Sequence, residues 1–151
     1  MKKTIIIPIK TNNQRLPGKN TMLLCGKPLY EYLFDTVKEI SNTAVYVDSS
    51  DTEILDIARK NNFNVIKRPE SLNSPETSGN DLIVHALNNT NSDIYAQVFV
   101  TTPFLKSGTI QKAFSILEQK KNKTSCFGLY NVFDRFWYKD KPVNHSGHKL
   151  V

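Results

Sequence analysis

No carboxylate occurs before Glu31 in this 151-residue chain, whereas Lys2, Lys3, Lys10, Arg15, Lys19 and Lys27 all fall within that stretch. Nothing local offsets their positive potential, so the N-terminal region attracts polyanions. Cysteine is scarce. Cys25 and Cys126 lie far apart and share no metal-ligand spacing, which excludes a cysteine metal centre and reads as two reduced, partly buried thiols. Long apolar runs are absent: after Lys2 and Lys3 only residues 5–7 form one, too short for a signal-peptide core or a membrane span. The expectation is a cytoplasmic protein without a membrane partner. No GxGxxG, Walker loop, CxxC or Ser-His-Asp order occurs. No repeat, low-complexity segment or dividing linker is visible either. Before residue 133, aromatic and basic residues do not interleave as they do in nucleic-acid binders, so no nucleic-acid partner is expected. His85 sits among Val84, Ala86 and Leu87 and reads as a packing residue, while His145 and His148 have no visible partner.

What is present is enough apolar material for a core. Hydrophobic residues make up 39% of the chain, with eight Phe and six Tyr, and the length suits one domain. The net charge of +6 fits an anionic partner or, alternatively, a solvated basic surface. Hydrophobic spacing predicts strands over residues 4–9, 44–47, 64–67, 94–100 and 125–130. It predicts helices over 28–41, 51–61, 80–88 and 106–120, with a proline-containing loop over 68–77. In the helices Leu29, Leu33, Val37 and Ile40, then Ile54, Leu55 and Ala58, then Ile110, Ala113, Phe114 and Leu117 should point inward. Asp51 or Ser50 is placed to cap the second helix. This βαβα order implies an α/β sandwich of three layers around a mostly parallel sheet. Residues 1–130 would form that domain, and residues 131–151 an extended segment carrying Phe133, Phe136, Trp137 and Tyr138.

The candidate site follows from the first strand. Ile5-Ile6-Ile7-Pro8-Ile9 empties into a polar loop with Lys10, Arg15 and Lys19. A buried strand opening into cations and backbone amides is suited to phosphate. Arg15 can fork onto two phosphate oxygens, Lys19 supplies a compact charge, and Asn20 can hydrogen-bond ribose or phosphate. The alternative is a basic surface loop turned by Pro17-Gly18. In a parallel sheet of this kind, ligands bind outside the carboxyl ends of the strands. The loops after Ile9, Val47 and Val100 should therefore share one rim.

Five ordered blocks carry a family resemblance: Arg15-Leu16-Pro17-Gly18-Lys19-Asn20 with Gly26-Lys27-Pro28-Leu29; Asp48 to Ile54; Lys67-Arg68-Pro69-Glu70-Ser71-Leu72; His85-Ala86-Leu87; and Thr101-Thr102-Pro103-Phe104-Leu105. The likeness continues through Arg135-Phe136-Trp137-Tyr138 and Lys141-Pro142-Val143-Asn144-His145, nearly the whole chain. It resembles the cytidylyltransferases that activate acidic sugars, above all the acylneuraminate cytidylyltransferases. The resemblance implies a Rossmann-like nucleotide-diphospho-sugar transferase fold. It implies transfer of CMP from CTP to a sialic-acid-like sugar with release of pyrophosphate, assisted by Mg²⁺, in a homodimer. It gives catalytic roles to Arg15 and Lys19, nucleotide contacts to Ile9, Lys10, Arg15, Lys19, Asn20, Arg68, Ser78 and Gly79, and sugar contacts to Gln97, Thr101 and Thr102. It also implies that a dimerisation part with an acidic metal site follows in the relatives, so that this chain looks truncated.

The chain departs from the family pattern in places. Lys10, Thr11, Asn12, Asn13 and Gln14 stand where an arginine, two glycines, a serine and a lysine are usual. Lys10 gives up a bidentate fork, and the lost glycines restrict close backbone approach to phosphate. Phe99 replaces a sugar-facing glutamine. Gln97, two residues back on the same strand face, would substitute from about 7 Å further away. These changes imply a second expectation, a catalytically impaired nucleotide-binding or protein-interaction module. Arg68 either faces the nucleotide or pairs with Glu70 or a nearby helix. Ser78 and Gly79 either contact cytosine or, for Gly79, begin a helix. Asp48 and Asp51 have metal-ligand chemistry, but Asp51 and Glu53 equally suit the first turn of a helix.

Overall fold

The computed structural model describes residues 1–11, 13, 16–74, 76–119, 124–129 and 136–143. Strand β1 (Lys3–Pro8) has four consecutive buried residues, the pattern of a strand covered on both faces. After it come a hairpin of β2 (Leu23–Leu24) and β3 (Lys27–Pro28), helix α1 (Leu29–Lys38), β4 (Ala44–Ser49), α2 (Thr52–Lys60) and β5 (Asn64–Lys67). Helix α3 (Gly79–Asn88), β6 (Ile94–Gln97), α4 (Ser107–Gln119), and a hairpin of β7 (Trp137–Tyr138) and β8 (Lys141–Pro142) complete the described elements. No helix among the described residues is long and apolar enough to cross a membrane.

The central sheet is parallel, in the order β5-β4-β1-β6. Thr4 pairs with Ala44 on one side and Tyr95 on the other. Side chains alternate across the sheet. Ile5, Ile7 and Ile9 therefore meet Leu33, Phe34 and Val37 of α1, Ile54 and Ala58 of α2, and Ile110 and Phe114 of α4. On the opposite face Ile6 and Ile66 meet Ala86 of α3. Three layers result, and all four strands point their carboxyl ends at one rim.

Local chemistry sets the boundaries. Asp51 caps α2, its carboxylate accepting from the Glu53 and Ile54 amides at 2.9 and 3.4 Å. Ser78 caps α3 in a reciprocal box with Asp81, so that helix starts one residue earlier than expected. Helix α1 is shorter than expected because Pro28 belongs to β3 and Asn42, in the left-handed region at φ 54°, turns the chain towards β4. The β2–β3 hairpin is unforeseen; Cys25 and Gly26 make its turn with φ of 51° and 79°.

Strand β6 stops at Gln97 instead of running to Val100. Its partner β1 ends at Pro8, which has no amide hydrogen to give, and the Ile9 amide turns to the Asp48 carbonyl at 2.9 Å. The strand expected over 125–130 is not present in residues 124–129, which are exposed and unladdered; residue 130 lies outside the described residues. Both cysteines are free and exposed, not partly buried: Cys25 sits at the hairpin tip and Cys126 in that exposed stretch. Of the extended segment, the described part forms the β7–β8 hairpin, closed by the Val143 amide donating to the Phe136 carbonyl at 2.8 Å.

Candidate functional site

Where β1 and β6 lie side by side, the chain leaves β1 towards α1 and β4 on one side, and β6 lies on the other. That is the switch point at which open α/β sheets hold ligands. A cavity of about 210 Å³ opens there. Its floor is Pro8 at the end of β1, with Phe99, Val100 and Thr101 after β6. Lys10, Lys19 and Asn20 come from the loop after β1, Arg68 from the end of β5, and Leu82 from the first turns of α3.

The loop after β1 is built around its backbone. Gly18, at φ 68°, permits the left-handed turn that starts the 3-10 turn Lys19–Thr21, and the Thr21 hydroxyl donates to the Gly18 carbonyl at 2.9 Å. Asn20 is 7% exposed, and its side-chain amide donates to the Lys10 carbonyl at 2.7 Å, clamping the two limbs of the loop. Lys10 reaches across to the Asn73 carbonyl at 2.9 Å. Asn20 is thus a structural clamp as well as a wall residue.

Arg68 follows neither of its two expected pairings. Glu70 accepts instead from Asn73 at 2.9 Å. The guanidinium, 1% exposed, pairs with Asp48 of β4, which is fully buried. Nη2 donates to Asp48 Oδ2 and to the Asp48 carbonyl, each at 2.9 Å, and Nε lies 3.2 and 3.3 Å from the two carboxylate oxygens. The sequence reading ends that strand at residue 47 and gives Asp48 metal-ligand chemistry; the structure extends the strand to Ser49, and a carboxylate buried there demands a cation close by, which Arg68 supplies.

Of the expected nucleotide and sugar residues, the structure gathers Lys10, Lys19, Asn20, Arg68 and Thr101 at one cavity. Arg15 lies outside the described residues. Ile9 is fully buried and its side chain belongs to the core. Ser78 and Gly79 lie one turn before Leu82, exposed, with the Ser78 hydroxyl bonded to Asp81 at 2.7 Å; those bonds hold the Asp81 carboxyl below its usual range. Thr102 donates to the Phe99 carbonyl at 2.8 Å and stabilises the turn after β6. Gln97 opens instead onto a larger cavity of about 350 Å³ between β6 and α4. Phe99, half exposed, takes the place at the site cavity.

A magnesium ion is implied by the resemblance. Among the described residues no group of three or more His, Cys, Asp or Glu is placed to hold a metal. The cavity wall is cationic, and both Asp48 oxygens are engaged by Arg68.

A family model described as cytidylyltransferase matches residues 4–148. The 3-deoxy-manno-octulosonate cytidylyltransferase 2 of Hydrogenovibrio crunogenus is 32% identical over 116 residues, covering 74% of this chain and 45% of the relative. The pseudaminic acid cytidylyltransferase of Campylobacter jejuni is 26% identical over 133 residues, covering 82% and 56%. The chain thus spans about half the length of these relatives. Among solved structures, a CMP:2-keto-3-deoxy-manno-octonic acid synthetase complexed with CTP superposes with a TM-score of 0.70 at 21% identity, over 81% of this chain and 49% of that one. This likeness concerns the fold.

Proposed function

Because the chain belongs to the cytidylyltransferase family, we propose that it is the nucleotide-binding part of an enzyme that transfers CMP from CTP to an acidic sugar. The observation that supports this most is the convergence of Lys10, Lys19 and Arg68 on one cavity at the β1/β6 switch point. In the proposed reaction a sugar hydroxyl oxygen bonds to the α-phosphorus, its proton is lost, and the bond from that phosphorus to the bridging oxygen breaks, releasing pyrophosphate. Lys19 and, from the sequence, Arg15 would stabilise charge developing on the phosphates. Thr101 lies on the cavity wall where the sugar would enter.

A second reading, a nucleotide-binding module without turnover, draws on Phe99 at the cavity, where the family pattern carries a glutamine. Pyrophosphate release from CTP in the presence of a nine-carbon or eight-carbon acidic sugar separates the two. Turnover near ~1–10 s⁻¹, ordinary for enzymes, supports the transferase. Saturable CTP binding with no sugar-dependent release supports the module.

A further inference from the structure

Arg68 sits on the wall of a cavity whose other cations come from loops, yet it is 1% exposed and held to a fully buried carboxylate. Such a pair is a poor source of stability, because desolvating both ions offsets their attraction and apolar residues would fill the same space. Its geometry is nonetheless highly determined. Three of the four contacts come from Nε and Nη2 to the two Asp48 carboxylate oxygens, and Nη2 adds the Asp48 carbonyl. The backbone fixes the acceptor as well: the Asp48 carbonyl also receives the amide of Ile9, the residue after β1, and the Arg68 amide donates to the Ser49 carbonyl, each at 2.9 Å. Nη1 makes no hydrogen bond among the described residues.

We infer that Asp48 is a positioning residue for nucleotide binding, which locks the Arg68 guanidinium against the cavity so that Nη1 is presented to the bound nucleotide. An arginine side chain is otherwise long and rotamer-rich, and the fork onto one carboxylate removes that freedom before the ligand arrives. The pairing also cancels the charge of Arg68. Arg68 therefore acts as an oriented donor, while Lys10 and Lys19 supply the field that attracts phosphate. The inference rests on the proposal that this cavity takes CTP.

The sign of one substitution separates this role from two others. If Asp48 acted only through its field, Asp48→Asn would remove a negative charge beside a polyanion site and tighten CTP binding. If it were only structural, the variant would melt earlier but its folded molecules would bind as before. Positioning predicts weaker binding. Calorimetric titration of CTP at a temperature well below each melting midpoint should show about a tenfold or greater loss of affinity for Asp48→Asn. In an Arg68→Gln background the same substitution should change affinity less than about twofold. Unchanged or tighter binding by folded Asp48→Asn, or an equal loss in both backgrounds, overturns the inference. Should Asp48→Asn not fold, Asp48→Glu keeps the charge but displaces the fork. Weakened CTP binding by that variant supports positioning, and wild-type affinity overturns it. A folded wild type that binds no CTP removes the functional proposal and this inference together, whereas CTP binding indifferent to Asp48 removes the inference alone.

Discussion

Lys19 and Asn20 are neighbours in sequence and both line the cavity, yet their substitution should have different consequences. Lys19 is half-buried at the start of the 3-10 turn and lines the cavity. Lys19→Ala should weaken CTP binding by ~1.5–3 kcal/mol, as for a lost charge-assisted hydrogen bond, and should flatten the salt dependence of binding. Calorimetry at two ionic strengths measures both, and an affinity equal to wild type would remove Lys19 from the site. Asn20→Ala should instead lower the unfolding midpoint, since it breaks the clamp on the Lys10 carbonyl. At this scale the sequence grouped Lys10, Lys19 and Asn20 in the loop after a buried strand, and all three line one cavity. It was uninformative about the partner of Arg68. Asp48 and Arg68 lie 20 positions apart, and only the pairing of β4 with β5 brings Asp48 opposite Ile66 and Arg68 within reach.

The start of α3 is an element whose behaviour is tied to pH. Hydrogen bonds from the Ser78 hydroxyl and then the Ser78 amide hold the Asp81 carboxyl below its ordinary value of 3.8. The unfolded chain binds the proton more readily, so the contribution of Asp81 is complete above that ordinary value. It disappears as pH falls through the lower folded value. Protection of the first-turn amides of α3, taken relative to their intrinsic exchange rate at each pH, should therefore fall only below about pH 4, and Asp81→Asn should remove that acid-induced step. An identical pH profile in the variant would contradict the capping box as the cause. Helices α2 and α4 were legible because their apolar spacing is regular and Asp51 announces a cap; Ile54, Leu55 and Ala58 are all buried as the spacing requires. The end of β6 was not, because it depends on Pro8 in another strand. The apolar Cys126, Phe127 and Leu129 give residues 125–129 the look of a strand, but a strand exists only where a neighbour offers a ladder.

For the molecule as a whole, the parallel sheet turns a linear order of βα units into a single rim. That is why Pro8, Lys10, Lys19, Asn20, Arg68 and residues 99–101 meet although they are far apart in sequence. The βα order alone carried the layered α/β fold. The strand order and the pairing of β1 with both β4 and β6 depend on non-local contacts that spacing does not encode. The central claim is that the β1/β6 switch point is a nucleotide site whose affinity comes from the loop cations and from the oriented Arg68. Isothermal titration of CTP into the 151-residue chain, set beside cytidine and inorganic triphosphate, tests it most directly. The account predicts saturable one-site binding of CTP that weakens with added salt and exceeds that of either fragment. Heats no different from buffer dilution, in a sample whose circular dichroism is that of the folded protein, would contradict it.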